Sequence, residues 1–356
     1  WLQTACSQTR IVKFAIQSNH AMNVLVTGST GFIGAALCRA LVEQGHQVRA
    51  FHRASSNLRL LEDLPVEHLV GDLTQPDTLA PALAGMEVVF HAAAMLGGKH
   101  DEPGRMYAVT VEGTRALLSE ARRAGVRRVV HTSSVAALGV PPLPARNAAP
   151  LLMDETHTWN FRPDYWPYGY SKYLAEMEVQ RAVSEGLDVV TVNPAMVVGA
   201  GDIYRKSSSL VVRVAQRRLP MLTEGGLNIV HIEDVVAGHL AALHRGQTGQ
   251  RYILGGHNLS HQAYLQQIAA VVGAPAPTLV LPAGLLRRLA LPIRLMSPFL
   301  DLPFSPVTFR KAGYYFYVDT RKSRTALGLP PPRPVSEAIR SAYDWFVQTG
   351  VLEAPR

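Results

Sequence analysis

The sequence predicts an α/β fold, a Rossmann-type doubly wound parallel sheet followed by a smaller, mostly helical C-terminal lobe. Three observations predict it. From Met22 to Pro194, short β-branched runs bounded by turn residues alternate with segments of 3.6-residue hydrophobic periodicity. The first junction carries glycines at Gly28, Gly31 and Gly34. After Pro194 the alternation weakens and proline-rich, helix-leaning sequence takes over. Strand–helix alternation implies a parallel sheet with helices on both faces, because parallel neighbours need a long crossover.

Residues 1–21 are expected to lie outside the fold. Their one apolar stretch, Ile11 to Ile16, is interrupted by Lys13 and is too short for a signal-peptide core. Strands are predicted over 23–27, 47–51, 66–70, 88–91, 129–132 and 189–193, with helices over 33–43 and 111–124 between them. Residues 22–194 then form a nucleotide-binding domain, to which a segment at about 229–256 returns through a strand at 251–254. Residues 195–356 form a discontinuous substrate lobe closed by a helix at 335–346. The stretch 279–306 is rich in Leu and Pro. Arg287, Arg288 and Arg294 would be costly in lipid, so it reads as a lid or cap and not a membrane anchor.

Composition narrows the function. The chain has 356 residues, 47% of them hydrophobic and 17% charged, which excludes a solvated disordered polymer. Two cysteines, Cys6 and Cys38, exclude a disulfide scaffold and a Cys-rich zinc module, so no metal is expected and a reducing compartment, the cytoplasm, is. The net charge of +8 is scattered as pairs such as Arg122-Arg123, Arg127-Arg128 and Arg217-Arg218. That pattern is a solvated basic surface with some pull on anionic ligands, not a nucleic-acid patch. No apolar run reaches the ~18 residues of a membrane span.

The first predicted strand runs into Thr27-Gly28-Ser29-Thr30-Gly31-Phe32-Ile33-Gly34 and then a helix. Gly28 permits the tight turn, Gly31 admits backbone N–H groups to a pyrophosphate, and Gly34 lets the helix pack close. A helix N-terminus adds partial positive charge. The second strand is followed by Arg53-Ala54-Ser55-Ser56 with no acid to bond ribose hydroxyls, so Arg53 is expected to hold a 2′-phosphate and NADP is favoured over NAD. Asp72 and Leu73, after the third strand, are placed for the adenine. Ala92, Ala93 and Ala94, after the fourth, let a cofactor lie against the backbone. His91 reads as a packed strand residue.

Tyr168 precedes Lys172 by four residues on a predicted helix, so the two share a face. A nearby ammonium and an oxidised nicotinamide would bring a phenol into working range as acid or base. Lys172 is also a candidate for bonding the nicotinamide ribose. The fifth strand ends in Thr132-Ser133-Ser134; Ser134 is expected at the reacting oxygen, with Thr132 and Ser133 satisfying backbone groups. Asn193, Pro194 and Val197, in and after the sixth strand, are expected beside the nicotinamide ring.

Together these motifs resemble the extended short-chain dehydrogenase/reductase superfamily, also described as NAD-dependent epimerase/dehydratases, over about residues 22–256. Within it the chain is most similar to the dihydroflavonol reductase, 3β-hydroxysteroid dehydrogenase and hopanoid-associated epimerase-like group, on Phe51-His52-Arg53, Thr132-Ser133-Ser134, the run from Gly226 to Asp234, and Asp344-Trp345-Phe346. Two departures stand out: Thr110 where sugar-nucleotide members carry Asn, and Leu227-Asn228 where epimerases carry a diphosphate-binding Arg-Asp. The resemblance implies hydride transfer between a nicotinamide cofactor and a ketone or secondary alcohol of an apolar substrate. The alternatives are a sugar-nucleotide epimerase or dehydratase and a non-catalytic cofactor sensor. It also implies a homodimer through helices at 111–124 and 171–185.

Overall fold

A computed structural model describes residues 20–95, 103–145, 148–204, 208–219, 221–296 and 309–353. Nearly all of the expected N-terminal extension and residues 297–306 of the expected cap lie outside them. The central sheet is built from β1 (Asn23–Thr27), β2 (Gln47–His52), β3 (Glu67–Val70), β4 (Val88–His91), β5 (Arg128–Thr132) and β6 (Val189–Pro194). A later strand, β10 (Arg251–Leu254), joins its edge beside β6. All seven run parallel in the order β10-β6-β5-β4-β1-β2-β3. The order reverses between β1 and β4, the crevice where doubly wound sheets bind ligands.

Inner strands buried on both faces read as continuous apolar runs, and these do. Val24, Val26, Val88, Phe90 and Val130 face one layer with α1 (Phe32–Glu43) and α7 (Ile232–Arg245). Leu25, Val89, Val129 and Val189 face the other with α2 (Leu79–Leu83), α4 (Gly113–Arg123) and α5 (Pro167–Ser184). The helix predicted over 111–124 starts earlier. It begins as α3 (Pro103–Tyr107), passes through a π-helical turn at Ala108–Glu112 and continues as α4. Such a turn inserts one residue and is common at functional sites.

The C-terminal lobe is less helical than the sequence suggests. β7 (Met196–Val198) pairs in parallel with β9 (Gly226–His231), which also pairs with β11 (His257–Ser260) and β13 (Tyr315–Phe316). β8 (Met221–Thr223) pairs with β12 (Leu279–Leu281). α6 (Ser209–Ala215), α8 (His261–Val272) and the closing helix Val335–Gln348 pack on the larger of these sheets through Val211, Tyr264, Ile268, Ile339 and Phe346. α9 (Ala283–Met296) follows β12 and exposes Leu285 and Leu289. Among the described residues no helix is long and apolar enough to cross a membrane.

Candidate active site

The loop after β1 sits at the β1/β4 crossover. Gly28 has φ +66°, and a Cβ there would lie 2.7 Å from the Ala93 backbone after β4. A Cβ on Gly34 would lie 2.1 Å from Gly28 O. Only glycine fits either position, and the loop therefore closes directly onto the end of β4. Helix α1 begins with no side-chain cap at Gly31 and no acid in its first turn. Its orphan N–H groups at Phe32, Ile33 and Gly34 suit an anion, so the residues present fit a dinucleotide's pyrophosphate.

Ser29 turns inward. Its side chain is fully buried and its Oγ donates to Phe51 O at 3.1 Å, tying the loop to the end of β2. Thr30 is buried as well. Arg53, immediately after β2, is exposed, while His52 turns inward to His68 at 3.1 Å. Asp72 Oδ1 accepts from the Thr74 amide and hydroxyl at 2.9 and 2.8 Å, and Leu73 is buried beneath Gly113. Ala92, Ala93 and Ala94 are partly exposed at the crevice.

His91 is the packed residue the sequence indicates, held on both ring nitrogens. Thr114 Oγ1 donates to Thr110 O at 2.6 Å, so it accepts from His91 Nε2 at 2.9 Å. Nδ1 then accepts from Thr27 Oγ1 at 2.7 Å, and Thr27 Oγ1 in turn accepts from the Ala93 amide at 3.3 Å. The chain of donors assigns the tautomer and links the glycine loop to α4. Thr110 Oγ1 accepts from the Met95 amide at 3.3 Å, a structural role for the residue that departs from the Asn pattern.

The structure brings Ser134, Tyr168 and Lys172 together. Pro167 opens α5, which places Tyr168 and Lys172 one turn apart. Ser134 Oγ accepts from the Ala136 amide at 3.1 Å and lies close enough to the Tyr168 phenol to favour its ionised form. Burial pushes the phenol above its ordinary range and Ser134 pulls it down. Lys172 Nζ donates to Thr132 O at 2.8 Å; burial lowers it to about 8, opposed by Glu176.

One expectation is corrected. Thr132 and Ser133 bond side chains, not backbone: Thr132 Oγ1 pairs with His239 Nε2 at 2.9 Å and Ser133 Oγ donates to Glu176. Asn193 lies inside the fold. It is fully buried, and its Nδ2 donates to Glu176 at 2.6 Å and to Ser134 O at 3.0 Å. Pro194 is buried at the end of β6 and Val197 is buried in β7 of the second sheet. Sequence reasoning missed Glu176, although Tyr168, Lys172 and Glu176 recur every four residues, and weighed Arg251, with Arg217 and Arg218, only as a substitute for the missing diphosphate arginine.

Residues 24–255 match the NAD dependent epimerase/dehydratase family. The chain belongs to that family. Among its relatives, a putative dihydroflavonol 4-reductase of Synechocystis sp. is 37% identical over 335 residues, covering 92% of this chain and 95% of that protein. The sterol demethylase protein B of Methylococcus capsulatus is 36% identical, covering 93% and 100%. The crystal structure of gox2253 superposes with a TM-score of 0.81 at 36% identity, covering 93% of this chain and 99% of that one. As an epimerase/dehydratase-family member the protein is an enzyme with a nicotinamide-dependent fold. The family's diphosphate-binding arginine has no counterpart at Leu227-Asn228. Asn228 Nδ2 instead donates to Asn258 at 2.8 Å, and its Oδ1 accepts from the Gly256 amide. Among the described residues no cluster suits a metal.

Proposed function

We propose that the protein is an NADP(H)-preferring reductase or dehydrogenase that interconverts a ketone and a secondary alcohol on an apolar substrate. The observation that carries this reading is the approach of the Ser134 hydroxyl to the Tyr168 phenol, on the strand end that Lys172 holds at Thr132 O. The nicotinamide, when bound, supplies the two electrons as hydride. Tyr168, protonated in this environment, gives its proton to the developing alkoxide. Ser134 donates its hydroxyl hydrogen to the same oxygen, and the phenolate left on Tyr168 takes a proton back from solvent before the next turnover. Lys172, charged below pH about 8, keeps the site positive.

NADP preference is supported by Arg53, exposed at the end of β2 with no neighbouring acid. An apolar substrate is supported by Trp166, Phe316, Val140 and Leu138, which pack around Tyr168. The sugar-nucleotide alternative is weakened because Arg251, one replacement for the missing diphosphate arginine, is tied to Glu176 and to the carbonyls of Glu155 and His157. We further infer a homodimer through α4 and α5. Along their shared groove Arg115 pairs with Glu112 and Glu178, and Arg122 and Arg181 pair with Glu185, so the face a second copy would meet is charge-paired within the chain.

Titration of the purified protein with NADPH and NADH, followed by carbonyl compounds and sugar nucleotides, tests the reading. Tighter NADPH binding and steady cofactor consumption with a carbonyl support it. Turnover of a sugar nucleotide without net cofactor consumption would replace it with the epimerase reading.

A further inference from the structure

Helix α5 carries another buried polar residue one turn beyond Lys172. Glu176 is 4% exposed, and its carboxylate meets donors from three strands of the central sheet. Oε1 accepts from Ser133 Oγ, just after β5, and from Asn193 Nδ2 of β6 at 2.6 Å. Oε2 accepts from Arg251 of β10 at 2.9 Å. A buried carboxylate is costly unless it is paired and bonded, and this one is both.

These bonds converge on the strand end that delivers Ser134. Thr132 O is held by Lys172 at 2.8 Å, Ser133 Oγ by Glu176, and Ser134 O by Asn193 at 3.0 Å. Three consecutive residues are thus fixed by one helix face, directly or through one amide. Packing alone does not require this, because Ala175 and Val179 on the same helix are already fully buried.

We propose that Glu176 is a positioning residue: anchored by Arg251, it fixes, through Ser133 and Asn193, the strand end that presents Ser134 to Tyr168. The same carboxylate favours the ammonium of Lys172 against burial. This rests on the oxidoreductase reading for the chemistry served, not for the geometry. Lys172 is also faced by His91 from β4 and His131 from β5. Burial keeps both imidazoles neutral near pH 7, so Glu176 is the anion in this set.

The test is an NMR titration of protein labelled with [ε-13C]lysine, together with steady-state kinetics using NADPH and the carbonyl compound reduced fastest in the screen. The chain has six lysines, so Lys172→Met assigns the signal. Glu176→Gln is expected to move the Lys172 titration down by about one pH unit and to lower kcat about tenfold or more, with NADPH affinity little changed. Glu176→Asp keeps the charge but withdraws from Ser133 and Asn193. It is expected to leave the titration near that of the wild type and still lower kcat, and it carries the test if the Gln variant does not fold. A titration unmoved in Glu176→Gln, or a kcat kept by Glu176→Asp, overturns the proposal. The NMR arm needs no substrate. A shifted titration in a protein that reduces no carbonyl would therefore retain the positioning role and reject the functional reading. A working reductase indifferent to both substitutions would do the reverse.

Discussion

At Tyr168 the balance of burial against the Ser134 hydroxyl leaves a phenol, not a phenolate, as the resting form. That suits a proton donor in the reducing direction. Tyr168→Phe removes only the hydroxyl, and positioned general acids contribute about 10²–10⁴-fold. Turnover is expected to fall by that order while NADPH affinity is kept, as steady-state kinetics and fluorescence titration would measure. The pH dependence follows from Lys172. Its folded-state value of about 8 lies below the ordinary lysine value, so the ammonium is lost as pH rises through about 8. The reduction rate should decline above that pH, and a pH–rate profile checks it. Lys172 could be named from its spacing to Tyr168, but its partner could not. Glu176 obeys the same four-residue spacing, yet its meaning depends on Ser133, Asn193 and Arg251, which only the sheet brings together.

The strands of the central sheet were legible in the sequence because parallel strands buried on both faces leave a local, continuous apolar signature. The second sheet was not. β7 and β13 have three and two residues, and each exists by pairing with β9, from a distant part of the chain. Periodicity within a window carries no trace of such pairings. The glycine loop lies at the other extreme, since its spacing alone announced its shape. Gly34→Ala would force a methyl group to within 2.1 Å of Gly28 O. The loop or the helix must then move, at about 1–3 kcal/mol for overpacking. Weakened NADPH binding and a lowered Tm are expected, measured by fluorescence titration and thermal unfolding. The site's polar supports were harder to foresee. Ser29 and Asn193 have the right chemistry for a cofactor, but the Ser29 hydroxyl and the Asn193 Nδ2 already donate inside the fold.

Across the whole molecule, buried histidines give the fold an acid-sensitive interior. Burial holds His91 at about 3 and His231 and His239 at about 4, and keeps His131 well below its ordinary value. The unfolded chain binds those protons near pH 6.5, so it is favoured as pH falls from about 6.5 toward 4. Each neutral buried histidine contributes on the order of 2 kcal/mol of lost stability by pH 5. Denaturant unfolding at pH 7.5 and pH 5 should show a marked fall in midpoint, and equal midpoints would contradict this assignment. Tyr168 packs against a buried cluster that joins both parts of the molecule, with Ala136 and Leu138 after β5 and Phe316 of the second sheet. Net redox chemistry is expected at that junction. The most direct measurement supplies NADPH deuterated at the transferred C4 position with a carbonyl substrate and follows both products. One deuterium in the alcohol, with one NADP⁺ formed per alcohol, is the predicted result. Substrate converted with no NADP⁺ released and no deuterium gained would contradict it.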